Sequence, residues 1–178
     1  ERVGASFIIA QGVEAGGHRG TFNPEEKDDN LSLAELVNKL VNVTSLPIVA
    51  AGAIMTGANI VAALKIGATA VQMGTAFLCC EESGTSESHK EFLLNKKNRK
   101  TLFTESFSGR RAQGIENEFI KLMEGKSILP FPIQNTLTNS IRKLAVGIND
   151  GEYQSLWAGQ AYDQIRSLPA NELMIKLE

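Results

Sequence analysis

Ser6-Phe7-Ile8-Ile9-Ala10 is a short, near-continuous apolar run that ends at Gln11-Gly12. The same design recurs twice. Pro47-Ile48-Val49-Ala50-Ala51 ends at Gly52, and Thr69-Ala70-Val71-Gln72-Met73 ends at Gly74. Strands buried on both faces, as in parallel sheets, read this way. Between them lie helical patterns. Leu31 to Val41 places Leu33, Leu36, Val37, Leu40 and Val41 on one stripe, with Ser32 and Glu35 at capping-box spacing. Asn59 to Ile66 continues an apolar pattern behind Thr56, an expected N-cap, and Gly67 is an expected stop. Strand, long loop, helix, strand, helix, strand predicts parallel β/α units.

Beyond Phe77 the alternation ends. Glu81 to Lys90 reads as loop or helix start, Ser108-Gly109-Arg110-Arg111 as a turn, and Glu116 to Met123 as a short helix. Leu129-Pro130-Phe131-Pro132 reads as extended or irregular, because proline disfavours helix in the residue before it. Leu137 to Val146 and Tyr162 to Leu168 read as helices, so the carboxy-terminal part is expected to be mainly helical. Three strands cannot close a barrel, and an open parallel sheet leaves edges and a bare face. A complete eight-fold barrel needs ~250 residues, against 178 here. Preceding strands are therefore expected outside this sequence or on another chain.

Composition narrows the function classes. The net charge of -2 offers no electrostatic footprint for nucleic acid or an anionic membrane. Lys96, Lys97, Arg99 and Lys100 form one basic run, read as a solvated face or loop. No stretch reaches the ~18 apolar residues of a membrane span. Glu1-Arg2-Val3 does not begin a signal peptide. Cys79 and Cys80 are adjacent, cannot form a zinc site alone, and read as small buried hydrophobes. Absent signals and unpaired thiols give a cytoplasmic expectation. No metal site is expected, since His89 lies in a polar stretch and no His/Cys/carboxylate cluster appears.

The chemistry is expected at the strand ends, where β/α proteins bind ligands. All three glycine-bearing loops then face one end. Glycine lets backbone approach a ligand closely, and N–H groups at a following helix start can hold phosphate. Singly, Gly52 or Gly74 reads as a tight turn; together, behind successive strands, they point to a phosphate site. His18 follows Gly16-Gly17 in a long loop and is suited to act as a general base, or is simply an exposed or structural histidine. Glu14 either orients His18 or is a solvated loop charge.

The string Ile9-Ala10-Gln11-Gly12-Val13-Glu14-Ala15-Gly16-Gly17-His18-Arg19-Gly20 closely resembles the histidine loop of nitronate monooxygenases, formerly 2-nitropropane dioxygenases. Pro47 to Ile54, Val71 to Phe77, Ser108-Gly109-Arg110 and Trp157-Ala158-Gly159-Gln160 resemble the same family, so the similarity covers essentially the whole chain. A related family of FMN-dependent enoyl-acyl carrier protein reductases shares the Gly-Gly-His core, but the flanks look more like the monooxygenases.

The resemblance implies an α/β fold: the sixth to eighth β/α units of a TIM-type (β/α)8 barrel, with a mainly helical carboxy-terminal region. Residues 1–80 would be the FMN-binding barrel part, 81–150 the helical region, and 151–178 a segment returning to the barrel. It implies FMN as cofactor, contacted by Gln11, Gly16 and Gly17. Gly52, Ala53, Gln72, Met73, Gly74 and Thr75 would lie at its phosphate, and Gln160 near the flavin. The family usually shows two glycines where this chain has Gly52-Ala53; if that backbone needs positive φ, Ala53 costs on the order of a kcal/mol. His18 would take the α-proton of a nitroalkane or position a nitronate, with O2 as co-substrate and a carbonyl compound and nitrite as products. The resemblance leaves the oligomeric state open. Without the amino-terminal strands, this chain alone is expected to be inactive. The competing expectations are the enoyl reductase, a non-catalytic flavin- or phosphate-binding fragment, and an unrelated phosphate-binding β/α barrel in which His18 is incidental.

Overall fold

The computed structural model describes residues 2–23, 26–95 and 99–178. The first half follows the predicted alternation: β1 (Ile8–Gln11), a two-residue β2 (Gly17–His18), α1 (Leu33–Leu40), β3 (Ile48–Ala51), α2 (Gly57–Lys65) and β4 (Ala70–Gln72). A 3-10 turn over Thr75–Phe77 follows. The second half holds α3 (Glu87–Leu94), β5 (Thr101–Thr104), β6 (Ala112–Ile115), α4 (Glu118–Met123), α5 (Ile133–Gly147) and α6 (Ala170–Ile175).

β1, β3 and β4 form a parallel sheet in that order, with Ile8 opposite Ile48 and Val49 opposite Ala70. Both helix starts are capped as the sequence predicts. Ser32 and Glu35 make a reciprocal capping box on α1, and Thr56 and Asn59 make one on α2. Gly67 stops α2 at a φ of +106°, a conformation that favours glycine. The two helices cover one face of the sheet, where Ala10, Val37, Ile48, Ala50, Ile54 and Ala63 are buried together. On the opposite face Ile9 is 48 % exposed.

The second half departs from the helical reading. β2, β6 and β5 form an antiparallel sheet, with Gly17 opposite Gln113, His18 opposite Ala112 and Phe103 opposite Gln113. A bridge from Gly114 to Trp157 extends it. The segment Gly17–His18, read as loop, is thus strand. Its pairing partner lies far along the chain, so no local pattern announces it.

The helix expected over Tyr162–Leu168 is reduced to a 3-10 turn at Tyr162–Gln164, and a helix starts at Ala170 instead. Pro169 explains the shift: it disfavours helix in Leu168 and suits the start of the next one. α5 begins four residues before the predicted Leu137, at Ile133 behind Pro132. The short helix predicted from Glu116 begins at Glu118, capped by the Asn117 side chain.

Cys79 and Cys80 are buried, as expected. Cys79 packs with Leu93, Ile115, Leu156 and Tyr162, and Cys80 with Leu173 and Leu177 of the carboxy-terminal segment. Burial pushes the Cys79 thiol up to about 11, so it is an inert apolar group at neutral pH. Of the basic run, Lys96 and Lys97 lie outside the described residues, as does Glu1. Arg99 is no free solvated charge: it forms a two-pronged ion pair with Glu152 at 2.6 and 3.0 Å. Among the described residues no helix is long and apolar enough to cross a membrane.

Candidate functional site

The carboxyl ends of β1, β3 and β4 open into one cleft of about 420 Å³, within the ~300–1,000 Å³ range of cofactor and small-molecule sites. Gln11, Gly16 and Gly17 contribute to its wall from the loop after β1. Gly52 and Ala53 line it after β3, and Gln72, Met73, Gly74 and Thr75 after β4. The sequence therefore points to three loops that the fold brings to one space. Trp157, Gly159 and Tyr162 from the carboxy-terminal segment supply the remaining side.

The glycines serve distinct ends. A Cβ at Gly16 would sit 2.5 Å from the carbonyl carbon of Ala158 and 2.6 Å from the amide nitrogen of Gly159, so the loop and the carboxy-terminal segment touch backbone to backbone. Gly52 has a φ of +131°, and a Cβ there would crowd Ala15 at 3.2 Å. At Gly74 a Cβ would meet no atom within 4 Å. Ala53, the residue in question from the sequence, has a φ of +51°. That is the left-handed region, costing a non-glycine residue roughly 1–2 kcal/mol.

Side chains hold the histidine loop. Gln11 uses its amide within the loop: Nε2 donates to the His18 carbonyl at 2.9 Å, and Oε1 accepts from the Gly20 N–H at 3.0 Å. The buried Gln113 on β6 donates to the carbonyls of Val13 (3.1 Å) and Ala15 (2.8 Å). Arg19 donates to the Gly12 carbonyl at 2.7 Å and pairs with Asp28 at 2.6 Å, and Arg111 reaches the same carboxylate at 3.1 Å. The Arg19 hydrogen bond is the main cause that holds Asp28 below the usual carboxylate range. Glu14 neither orients His18 nor stands solvated. Its carboxylate accepts from the Leu33 N–H at 3.0 Å, at the start of α1, where the exposed amides and helix dipole favour an anion.

His18 stands beside the cleft. Its ring centroid is 5.3 Å from that of Trp157, at 64°, and its Nε2 is 2.7 Å from Ser108 Oγ. Burial of part of the ring, then the guanidiniums of Arg110 and Arg142, lower its pKa below the ordinary histidine value. The imidazole is therefore neutral at pH 7, the form a base requires. Gln160 is the exception among the residues predicted to hold the cofactor. Its neighbours Gly159 and Ala161 line the cleft, but it is exposed and its amide donates to Gln113 Oε1 at 3.3 Å. No group of metal-ligating side chains occurs among the described residues. His89 is a partly buried histidine on α3, held near a pKa of about 4 by desolvation.

Three contributors escaped the sequence as site residues. Gln113 sits in a strand with no local signature. Ser108 and Trp157 stand in recognisable motifs, but only the fold brings them to His18.

Comparison with known proteins agrees with this geometry. The nitronate monooxygenase family model matches residues 1–178. A probable nitronate monooxygenase of Staphylococcus aureus (strain JH9) is 44% identical over 178 residues, covering 98% of this chain and 50% of the relative. The solved nitroalkane oxidase from Streptomyces ansochromogenes superposes with a TM-score of 0.95 at 39% identity, over 99% of this chain and 51% of that one. FabK from Thermotoga maritima follows with a TM-score of 0.78 at 30% identity, over 99% and 54%. The chain thus spans about half the length of the relatives it matches.

Proposed function

The chain belongs to the nitronate monooxygenase family of oxidoreductases, and from that premise we propose that it carries the cofactor loops and the base of an enzyme that oxidises nitroalkanes and their nitronates with O2, giving a carbonyl compound and nitrite. The observation that carries this reading is the convergence of three glycine loops on one cleft beside a neutral histidine. The closer likeness to the nitroalkane oxidase than to FabK supports the same choice. In this reading β1, β3 and β4 are the sixth to eighth strands of a (β/α)8 barrel. The half-exposed Ile9 face is what a barrel would close over.

The cleft fits FMN by size and by the backbone it exposes. Gly52, Ala53, Gly74 and Thr75 would present main chain to the phosphate, with Gln72 and Met73 beside them. Gly17 would give the flavin an approach free of a Cβ, while Gly16 lets the carboxy-terminal segment close the wall beside it. Gln11 acts through the loop it pins, and Gln160 through Gln113. The chemistry that bound FMN supplies is electron acceptance and reactivity with O2.

The chain's own residues manage the proton and the approach. His18 accepts the α-proton of a neutral nitroalkane; towards a nitronate, already ionised, it orients the anion. Trp157 limits the space on one side of the imidazole. Arg110 and Arg142 lend positive potential where an anionic substrate gathers.

Oxygen consumption by the FMN-loaded whole protein tests the proposal. Nitronate-dependent uptake without NAD(P)H is the expected outcome. A strict need for NAD(P)H would replace it with the enoyl reductase reading, and flavin binding without turnover would leave a binding module. His18→Asn is expected to lower turnover of neutral nitroalkane by about 10²–10⁴-fold, the usual worth of a general base, while flavin affinity is kept. Undiminished turnover would remove His18 from the base role.

A further inference from the structure

We propose that Ser108 is the positioning residue that sets the tautomer of His18, so that Nδ1 is the nitrogen that takes the substrate proton. The inference rests on His18 being the base.

A ring nitrogen of imidazole makes one in-plane hydrogen bond. That of Nε2 is spent on Ser108 Oγ at 2.7 Å. The hydroxyl has its own commitments. Oγ accepts the Arg110 N–H at 3.2 Å and donates to the Arg110 carbonyl at 3.1 Å. With its hydrogen directed there, Oγ can only accept from His18. Nε2 then carries the proton, and Nδ1 keeps the lone pair.

The serine is well placed to impose this. It is 2% exposed, so solvent does not compete for its hydroxyl. It sits in the turn between β5 and β6, closed by the Gly109 N–H to the Glu105 carbonyl at 2.8 Å. Gly109 has a φ of +75°, and a Cβ there would meet the backbone of Leu129 and Phe131. β2 pairs with β6 on the other side of the same turn, His18 opposite Ala112. The two partners are thus fixed by one sheet.

The proton transfer needs no rearrangement of this network. The substrate's α C–H bond breaks, and its electron pair remains on the nitronate. A new N–H bond forms at Nδ1. Nε2–H still donates to Oγ, and Oγ–H still donates to the Arg110 carbonyl. The imidazolium so formed faces Arg110 from the turn and Arg142 from α5, which both oppose it. The serine oxygen offsets part of that opposition.

Nitrogen NMR of the protein with 15N-labelled histidine reads the tautomer directly. The sequence has two histidines, and His18→Asn identifies the signals of His18 by their loss. The expected result is a neutral His18 protonated at Nε2. In Ser108→Ala the tautomers should mix and the acid dissociation constant should rise about tenfold, the scale of one hydrogen bond. Ser108→Thr, which keeps a hydroxyl, should restore both.

A neutral His18 protonated at Nδ1 in the unaltered protein overturns the assignment, as does a tautomer indifferent to Ser108→Ala. The unaltered protein decides even if Ser108→Ala fails to fold. In the FMN-loaded enzyme, Ser108→Ala should lower kcat/KM for neutral nitroalkane about tenfold more than for preformed nitronate; equal losses would assign Ser108 a purely structural part. An Nδ1–H result would spare His18 as the base, whereas undiminished nitroalkane turnover in His18→Asn would remove the base without touching the tautomer.

Discussion

On one side of the cleft, the loop from Gly12 to Gly20 is laced by side chains: Gln11, Gln113 and Arg19 all bond to its backbone. On the other side, Gly52 and Ala53 take their shape from left-handed backbone angles, and Gly74 leaves open space before it. The first arrangement fixes the loop that carries His18, as the proposed proton transfer demands. The second offers main chain, which a phosphate demands. Substitutions that exchange these strategies test how separate the two sides are.

Gly16→Ala should have the largest effect on stability. A methyl group would press on the Ala158–Gly159 backbone, neither part of which is a flexible side-chain end. A loss of about 3 kcal/mol, at the upper end for overpacking, should appear as a lowered denaturation midpoint. A neutral result would show that the carboxy-terminal segment can move away from the histidine loop.

Gly74→Val should leave the fold almost untouched, within about 0.5 kcal/mol, because a Cβ there meets no protein atom within 4 Å. Flavin titration should nevertheless show affinity weakened by about tenfold or more, since the branched side chain fills space that a ligand would use. Unaltered affinity would mean that this loop does not approach the cofactor.

Ala53→Gly is the smallest. Relief of left-handed strain, about 1–2 kcal/mol, is offset by the greater freedom of glycine in the unfolded chain, about 0.4–1 kcal/mol. A net gain near 0.5 kcal/mol should be measurable in denaturant titration. A loss would show that the Ala53 methyl makes contacts worth more than its strain.

How much of this was legible in the sequence depends on how local each cause is. The three parallel strands, the Ser32–Glu35 capping box and the Thr56 cap depend on residues close together in the chain, and they appear where the pattern places them. So do the turn at Ser108–Arg111 and the burial of the cysteines. The antiparallel sheet was hidden. Ala112-Gln113-Gly114-Ile115 has no alternation, because both its faces are buried by partners distant in sequence. Glu14 read as a solvated charge or a partner of His18 for the same reason: the amide it meets belongs to Leu33. The Gly52-Ala53 departure was visible as a question, and the φ of Ala53 answers it.

One contact bears on how the molecule is made. Thr75 Oγ accepts the Gly159 N–H at 3.0 Å, across 84 positions of chain, and Gly159 also lies against the histidine loop. A ribosome therefore delivers every glycine loop long before the strip that joins two of them. Until residues 157–162 emerge, the loops have no fourth wall, and the pocket exists as separate parts. A cleft walled on all its sides is thereby a late product of synthesis, complete only once residues 157–162 have left the ribosome.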